Sequence, residues 1–122
     1  MWGFPAIKAD THTIDALDAG GPLANQSRRP IADVALQHRL PMLGIWRTFA
    51  EAGSLLSYGA TAAEVYRRTA AVVDKRLKGA QPADLPVEQP TKYELIINLK
   101  TAQALGFTIP PTLLFQADEV IR

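Results

Sequence analysis

Few residues in this chain have the type and spacing to do chemistry, and those few point to binding rather than to bond making. There is no Gly-rich phosphate loop, no G-x-S-x-G nucleophile turn and no His cluster at metal-ligand spacing. His12 and His38 stand far apart, and a reactive site needs groups that converge. Asp10, Asp15 and Asp18 read as turn and cap chemistry rather than as a metal site. Arg67, Arg68, Lys75 and Arg76 read as the solvated face and C-terminal end of one helix. Nucleic-acid binding would need a broader basic surface with stacking aromatics. No enzyme, metal ligand or cofactor is expected.

The better candidates follow two strand patterns. Gly20, Gly21, Pro22, Leu23 and Asn25 come after the first, and Trp46 and Arg47 after the second. In open α/β sheets, ligands bind beyond the carboxyl ends of the strands. A helix starting near Asn25 would also offer free N–H groups to an anion such as an amino-acid carboxylate. The structural alternative is that the glycines only make a tight turn and that Trp46 belongs to the core.

These residues must be positioned by alternating strand and helix patterns, which indicate an α/β fold with a mostly parallel sheet and flanking helices. Ile14 to Ala19 reads as a short strand. A helix follows from Asn25 or Ser27 to about His38, with Pro30 in its first turn and Ile31, Val34 and Ala35 as its apolar stripe. Met42 to Trp46 is a continuous apolar run that suits a buried parallel strand, completing a right-handed βαβ unit. Arg47 to Gly53 is a connector or short helical turn, and Ser54 to Tyr58 is a strand closed by Gly59.

The best-marked helix is Thr61 to Lys78. Thr61 and Glu64 form a capping box, and Lys75, Arg76 and Lys78 load the last turn before Gly79. Ala62, Tyr66, Ala70, Val73 and Leu77 recur at helical spacing, so this face is expected to be buried. Pro82 to Pro90 then forces an extended path. Tyr93 to Asn98 is a strand, and Asn98 caps a short helix that Gly106 stops. Pro110-Pro111 breaks the chain, Thr112 is expected to cap a last helix, and Asp118 to Arg122 can pair as an edge strand.

At 122 residues, 48% hydrophobic and 20% charged, the chain fits one globular domain with a real core. A net charge of +1 makes no case for nucleic acid or an anionic membrane. With no cysteine, disulfides, thiolate zinc sites and a Cys nucleophile are excluded. No apolar stretch approaches a membrane span, so no membrane insertion is expected. The opening MWGFPAIKADTH lacks the basic start and long apolar run of a secretory signal.

The run KGAQPADLPVEQPTKYELIINLKTAQALGFTIPPTLLFQADEVIR resembles the C-terminal end of the solute-binding proteins of bacterial ABC importers. GGPLANQSRRPIADVALQHRLP and FAEAGSLLSYGATAAEVYRRTAAVVDKRLKG are similar to the same family, in the same order. The resemblance spans about Ile14 to Arg122 and implies a type I periplasmic-binding-protein fold, in a branch some of whose members are linked to aromatic or branched amino acids. It implies that residues 14–60 belong to the C-terminal lobe, 61–81 to a helix of the N-terminal lobe, 82–92 to an inter-lobe connector, and 93–122 to the closing strand and helices. Residues 1–13 are left as an unrelated or poorly packed arm. By the same resemblance Tyr58 stands where the chain crosses between lobes and would face the cleft, joining Gly21, Pro22, Leu23, Asn25, Trp46 and Arg47 as ligand-binding residues. The implied partners are a small-molecule solute and an ABC permease. The family works in the periplasm, whereas the chain as given, read as a truncated product, would stay in the cytoplasm. The competing expectation is a free-standing α/β interaction or scaffold module that has lost transport.

Overall fold

The computed structural model describes residues 17–19 and 21–122. The expected arm over residues 1–13, with Asp10 and His12, and the start of the strand expected from Ile14 lie outside the described residues. Eleven elements follow in order: β1 (Leu17–Ala19), α1 (Pro22–Gln26), α2 (Arg28–Gln37), β2 (Met42–Gly44), α3 (Arg47–Ala52), β3 (Leu56–Ala60), α4 (Ala62–Leu77), β4 (Tyr93–Asn98), α5 (Leu99–Leu105), α6 (Pro111–Gln116) and β5 (Glu119–Ile121). The strands lie side by side in sequence order. Pairings β1–β2, β2–β3 and β4–β5 are parallel, and β3–β4 is antiparallel. The reversal has a simple cause. Ala60 at the end of β3 pairs with Tyr93 at the start of β4, so residues 61–92 leave and re-enter the sheet at the same end.

The core forms where three short helices meet the sheet. α3 lies against β2, β3 and β4, α2 packs on α3, and α5 touches α2 and β5. Phe49 and Ala50 of α3 are fully buried, and Phe49 packs with Met42, Ala32 and Ala35. Burying a phenylalanine side chain contributes roughly 1.5–3 kcal/mol. Ile96 and Ile97 are adjacent on β4 and both buried, so this strand is covered on both faces at its C-terminal half.

Buried polar groups are tied down locally. The Asn98 side chain accepts from the Thr101 N–H at 3.2 Å, which caps α5, and donates to the Ala50 carbonyl at 2.9 Å. Thr101 Oγ1 donates to the Gly53 carbonyl at 2.9 Å. Gly106 stops α5 with φ 79°, the left-handed conformation expected of it. Among the described residues no buried side-chain polar atom lacks a partner.

Several local expectations are corrected. The buried face of α2 is Ala32 and Ala35, with Ile31 half-buried and Val34 exposed, because small residues let α2 approach α3 closely. β2 ends at Gly44, since Ile45 is already exposed and Trp46 leads into α3. β3 starts at Leu56, not Ser54, because the Ser54 and Leu55 N–H groups go to the carbonyls of Phe49 and Met42, each at 2.9 Å. Pro82–Asp84 makes one 3-10 turn, with proline at a helix start where its missing N–H costs little, and the rest of the proline segment has no regular structure. α6 starts at Pro111 after Pro110, with no side-chain cap from Thr112.

The largest correction concerns α4. It is the longest helix, as expected, and Thr61 Oγ1 accepts from the Glu64 N–H at 3.3 Å. Its apolar face is not buried: Tyr66, Val73 and Leu77 are all exposed, and no residue of the helix is buried. The helix touches no other element extensively, so the pattern marks a face that the described residues do not cover.

Candidate functional site

A cavity of about 820 Å³ opens at the carboxyl ends of β1, β2 and β3. Its floor is built where the parallel strands stop and the chain turns into helices. Gly21, Pro22 and Asn25 come from the turn after β1 and from α1, and Ile45, Trp46, Arg47 and Thr48 from the passage between β2 and α3. Ser57, Gly59 and Ala60 of β3 and Glu94 of β4 form a side wall. The first two turns of α4, including Val65 and Tyr66, stand opposite.

Local sequence accounts for this shape. Gly21 takes φ 94°, a conformation that side-chain-bearing residues rarely adopt, and turns the chain into α1. Gly59 allows β3 to pass close to the chain leaving β2, since a Cβ there would collide with the Ile45 carbonyl oxygen. Thr48 Oγ1 donates to Asn25 Oδ1 at 2.9 Å, joining α3 to α1 across the cavity floor.

Arg47 is the electrostatic centre. Its Nε pairs with Glu51 at 2.9 Å, its Nη1 with Glu94 at 3.0 Å, and its Nη2 with Glu119 of β5. The hydrogen bond to Glu119, then that to Glu51, holds the guanidinium above its ordinary pKa. On the far side of α4 a second arginine serves the connector. Arg68 reaches the Gln89 carbonyl at 2.7 Å, Thr91 Oγ1 at 3.1 Å and Glu64 at 2.7 Å. That last bond holds the Glu64 carboxyl below its usual range. Glu64 therefore serves Arg68 and Arg67 rather than closing the second half of a capping box.

The structure brings Gly21, Pro22, Asn25, Trp46 and Arg47 to the cavity and leaves two of the expected residues away from it. Leu23 is 78% exposed and does not line it. Tyr58 lies between Ser57 and Gly59, and strand alternation turns it from the cavity; its ring stacks on Tyr93 at 5.6 Å instead. Asn25 lies inside the short helix α1, and its N–H goes to the Gly21 carbonyl at 3.0 Å, so it does not supply the free donor expected of a helix start. Trp46 serves both readings, lining the cavity while packing on the core cluster. Sequence reasoning missed Thr48, Ser57, Gly59, Tyr66 and Glu94. Only Gly59 carried a signal, since an isolated glycine inside a strand pattern marks a close backbone approach. Among the described residues, no group of His, Asp and Glu could hold a metal ion, and no helix is long and apolar enough to cross a membrane.

The family model described as ABC transporter substrate binding protein matches residues 23–121. The chain belongs to that family. Of the cavity-lining residues expected from the sequence, Asn25, Trp46 and Arg47 fall inside the match, with Gly21 and Pro22 just before it. No curated protein matches. Among solved structures, the chain is similar to a conserved domain protein from Vibrio cholerae O1 biovar El Tor strain N16961, with 27% identity and a TM-score of 0.78. That likeness covers 87% of this chain and 36% of the other. It is also similar to an ABC domain from Streptococcus pneumonia in complex with L-Trp, with 32% identity, a TM-score of 0.66, and coverage of 75% of this chain and 32% of that one. A ligand-free, open substrate binding protein with adhesive properties from Clostridium difficile shares the fold at 21% identity and a TM-score of 0.55, over 87% of this chain and 35% of that one. The chain thus spans between 32% and 36% of the length of these structures. The α/β lobe with a mixed, mostly parallel sheet is the fold that the resemblance implied.

Proposed function

We propose that the protein acts as the solute-binding component of an ABC importer and forms one wall, with the first turns of a helix from the facing one, of a cleft that closes on a small molecule such as an amino acid. The observation that carries this reading is the cavity at the carboxyl ends of β1 to β3 in a chain of the substrate-binding family. The neighbour in complex with L-Trp supports an amino acid as solute, and Trp46 and Tyr66 supply aromatic surface in the cavity. No bond is made or broken. The cleft shuts because the solute contacts both lobes in the closed state and fewer groups in the open one.

In this reading residues 61–81 belong to the second lobe and residues 82–92 are the crossing between lobes. The uncovered face of α4 supports that assignment, as does the return of the chain to the sheet beside its point of departure. An ABC permease is the partner that receives the loaded, closed form, and the periplasm is where the exchange takes place.

The test is calorimetric titration of the chain with a panel of amino acids and small carboxylates, beside gel filtration and amide NMR. One wall with only part of the other is expected to bind weakly, since losing roughly 4 kcal/mol of contacts weakens binding about a thousandfold. The NMR signals of Gly21, Gly59 and the Trp46 indole should still move with at least one solute. A monodisperse monomer binding at micromolar strength would overturn the one-wall reading, and cavity signals unmoved by the whole panel would overturn solute binding. The exposed Tyr66, Val73 and Leu77 favour a second reading, an interaction module, which predicts concentration-dependent association in sedimentation.

A further inference from the structure

Resting on the reading of the cavity as a solute site, we infer that it selects solutes carrying a cationic group and that Glu94 receives that group. Arg47 and Glu94 are the only charged side chains among the described cavity-lining residues. A first glance assigns Arg47 to a solute carboxylate, but its geometry argues otherwise. Each of its three guanidinium nitrogens already faces a carboxylate, on Glu51, Glu94 and Glu119. One positive charge set among three negative ones leaves this side of the cavity negative. An incoming anion would have to displace a bound carboxylate and then lie beside it, which is unfavourable at both steps.

Glu94 has the complementary disposition. Its side chain is 24% exposed, and Arg47 donates to its Oε1. Among the described residues, its Oε2 accepts no hydrogen bond. A carboxylate in the cavity lining with one oxygen held and the other free of donors is a preorganised receptor for an ammonium, and charge-assisted bonds of this kind are the strong ones. Arg47 is then a positioning residue, holding the Glu94 carboxylate in place. The helix start at α1 offers an anion less than its sequence suggests: Pro22 has no N–H, and the Asn25 N–H is already bonded. With Trp46 and Tyr66 in the cavity lining, the solute expected is an amine on an apolar or aromatic body.

The experiment follows amide and indole NMR signals of the full chain titrated with three probes that share one ring: L-phenylalanine, phenethylamine and 3-phenylpropionate. The two amines should move the Gly59 amide and the Trp46 indole signals, and bind about tenfold or more tightly than the carboxylate-only probe. Glu94→Gln should erase that preference. Glu88→Gln removes a carboxylate that neither lines the cavity nor touches Arg47, and should keep it; matching spectra elsewhere will show that both variants fold. Phenylpropionate binding as tightly as phenethylamine, or a preference that survives in Glu94→Gln, overturns the inference while leaving a solute site in place. Signals unmoved by all three probes overturn the site itself, and the inference with it.

Discussion

Two helices of this protein carry opposite lessons. α3 has six residues, no side-chain cap and little pattern, yet it holds Phe49, which is 0% exposed, at the centre of the core. α4 has sixteen residues, a threonine cap, basic residues in its last turn and a clear apolar stripe, yet Leu77 on that stripe is 84% exposed. Local signals made α4. The Thr61 cap and the pairs Glu64–Arg68 and Asp74–Lys78 all act within the helix and its immediate neighbours. Burial made α3, through β2, β3 and β4 closing around it. Amphipathic periodicity states that a face asks for cover; it does not state that the same stretch of chain provides it.

Substitutions that separate the two helices give the largest expected effect. Phe49→Ala should cost about 3–5 kcal/mol in urea denaturation, the range for emptying a packed aromatic site. Leu77→Ala should stay within about 0.5 kcal/mol, as exposed positions do. Comparable losses at the two positions would erase the contrast and mean that α4 is covered in solution.

The next test sharpens the comparison at the caps. Asn98→Ala removes the α5 cap and leaves the buried Ala50 carbonyl without its side-chain donor, so a loss of about 1–3 kcal/mol is expected. Thr61→Ala removes a cap from a helix that the rest of the chain does not lean on. Its effect should appear as faster amide exchange in the first turn of α4, with the β4 amides unchanged. Faster exchange in β4 as well would show that the helix and the sheet unfold as one unit.

The smallest effect concerns the connector. Arg68→Ala should free residues 82–92, seen as faster amide exchange there, and lower global stability by less than about 1 kcal/mol because the contacts are solvent-accessible. The same release should follow acidification. The Glu64 carboxyl is held below its ordinary value of 4.5 by Arg68, so its contribution is present above that pH and is lost as pH falls through the lowered value. A connector that stays protected under those conditions would be held by something other than the Arg68 clip.

Much of the architecture was determined by sequence alone. Alternating patterns announced the α/β class, and short-range chemistry placed β4, the Asn98 cap, the Gly106 stop and the Thr61 cap, because these depend on residues only a few positions apart. The prolines set the break after α4 in the same way. Strand ends also pointed to Gly21, Pro22, Asn25, Trp46 and Arg47, since the position of a crevice follows from topology. The tertiary structure alone decided the rest. Whether Tyr58 or its neighbours Ser57 and Gly59 face the cavity depends on strand phase, and a shift of one residue reverses every side chain. Glu51 is a local i,i+4 partner within α3, but Glu94 and Glu119 reach Arg47 from β4 and β5 only because the sheet aligns residues far apart in the chain. The charge of a binding surface is a sum over such neighbours, and no spacing rule along the sequence contains it.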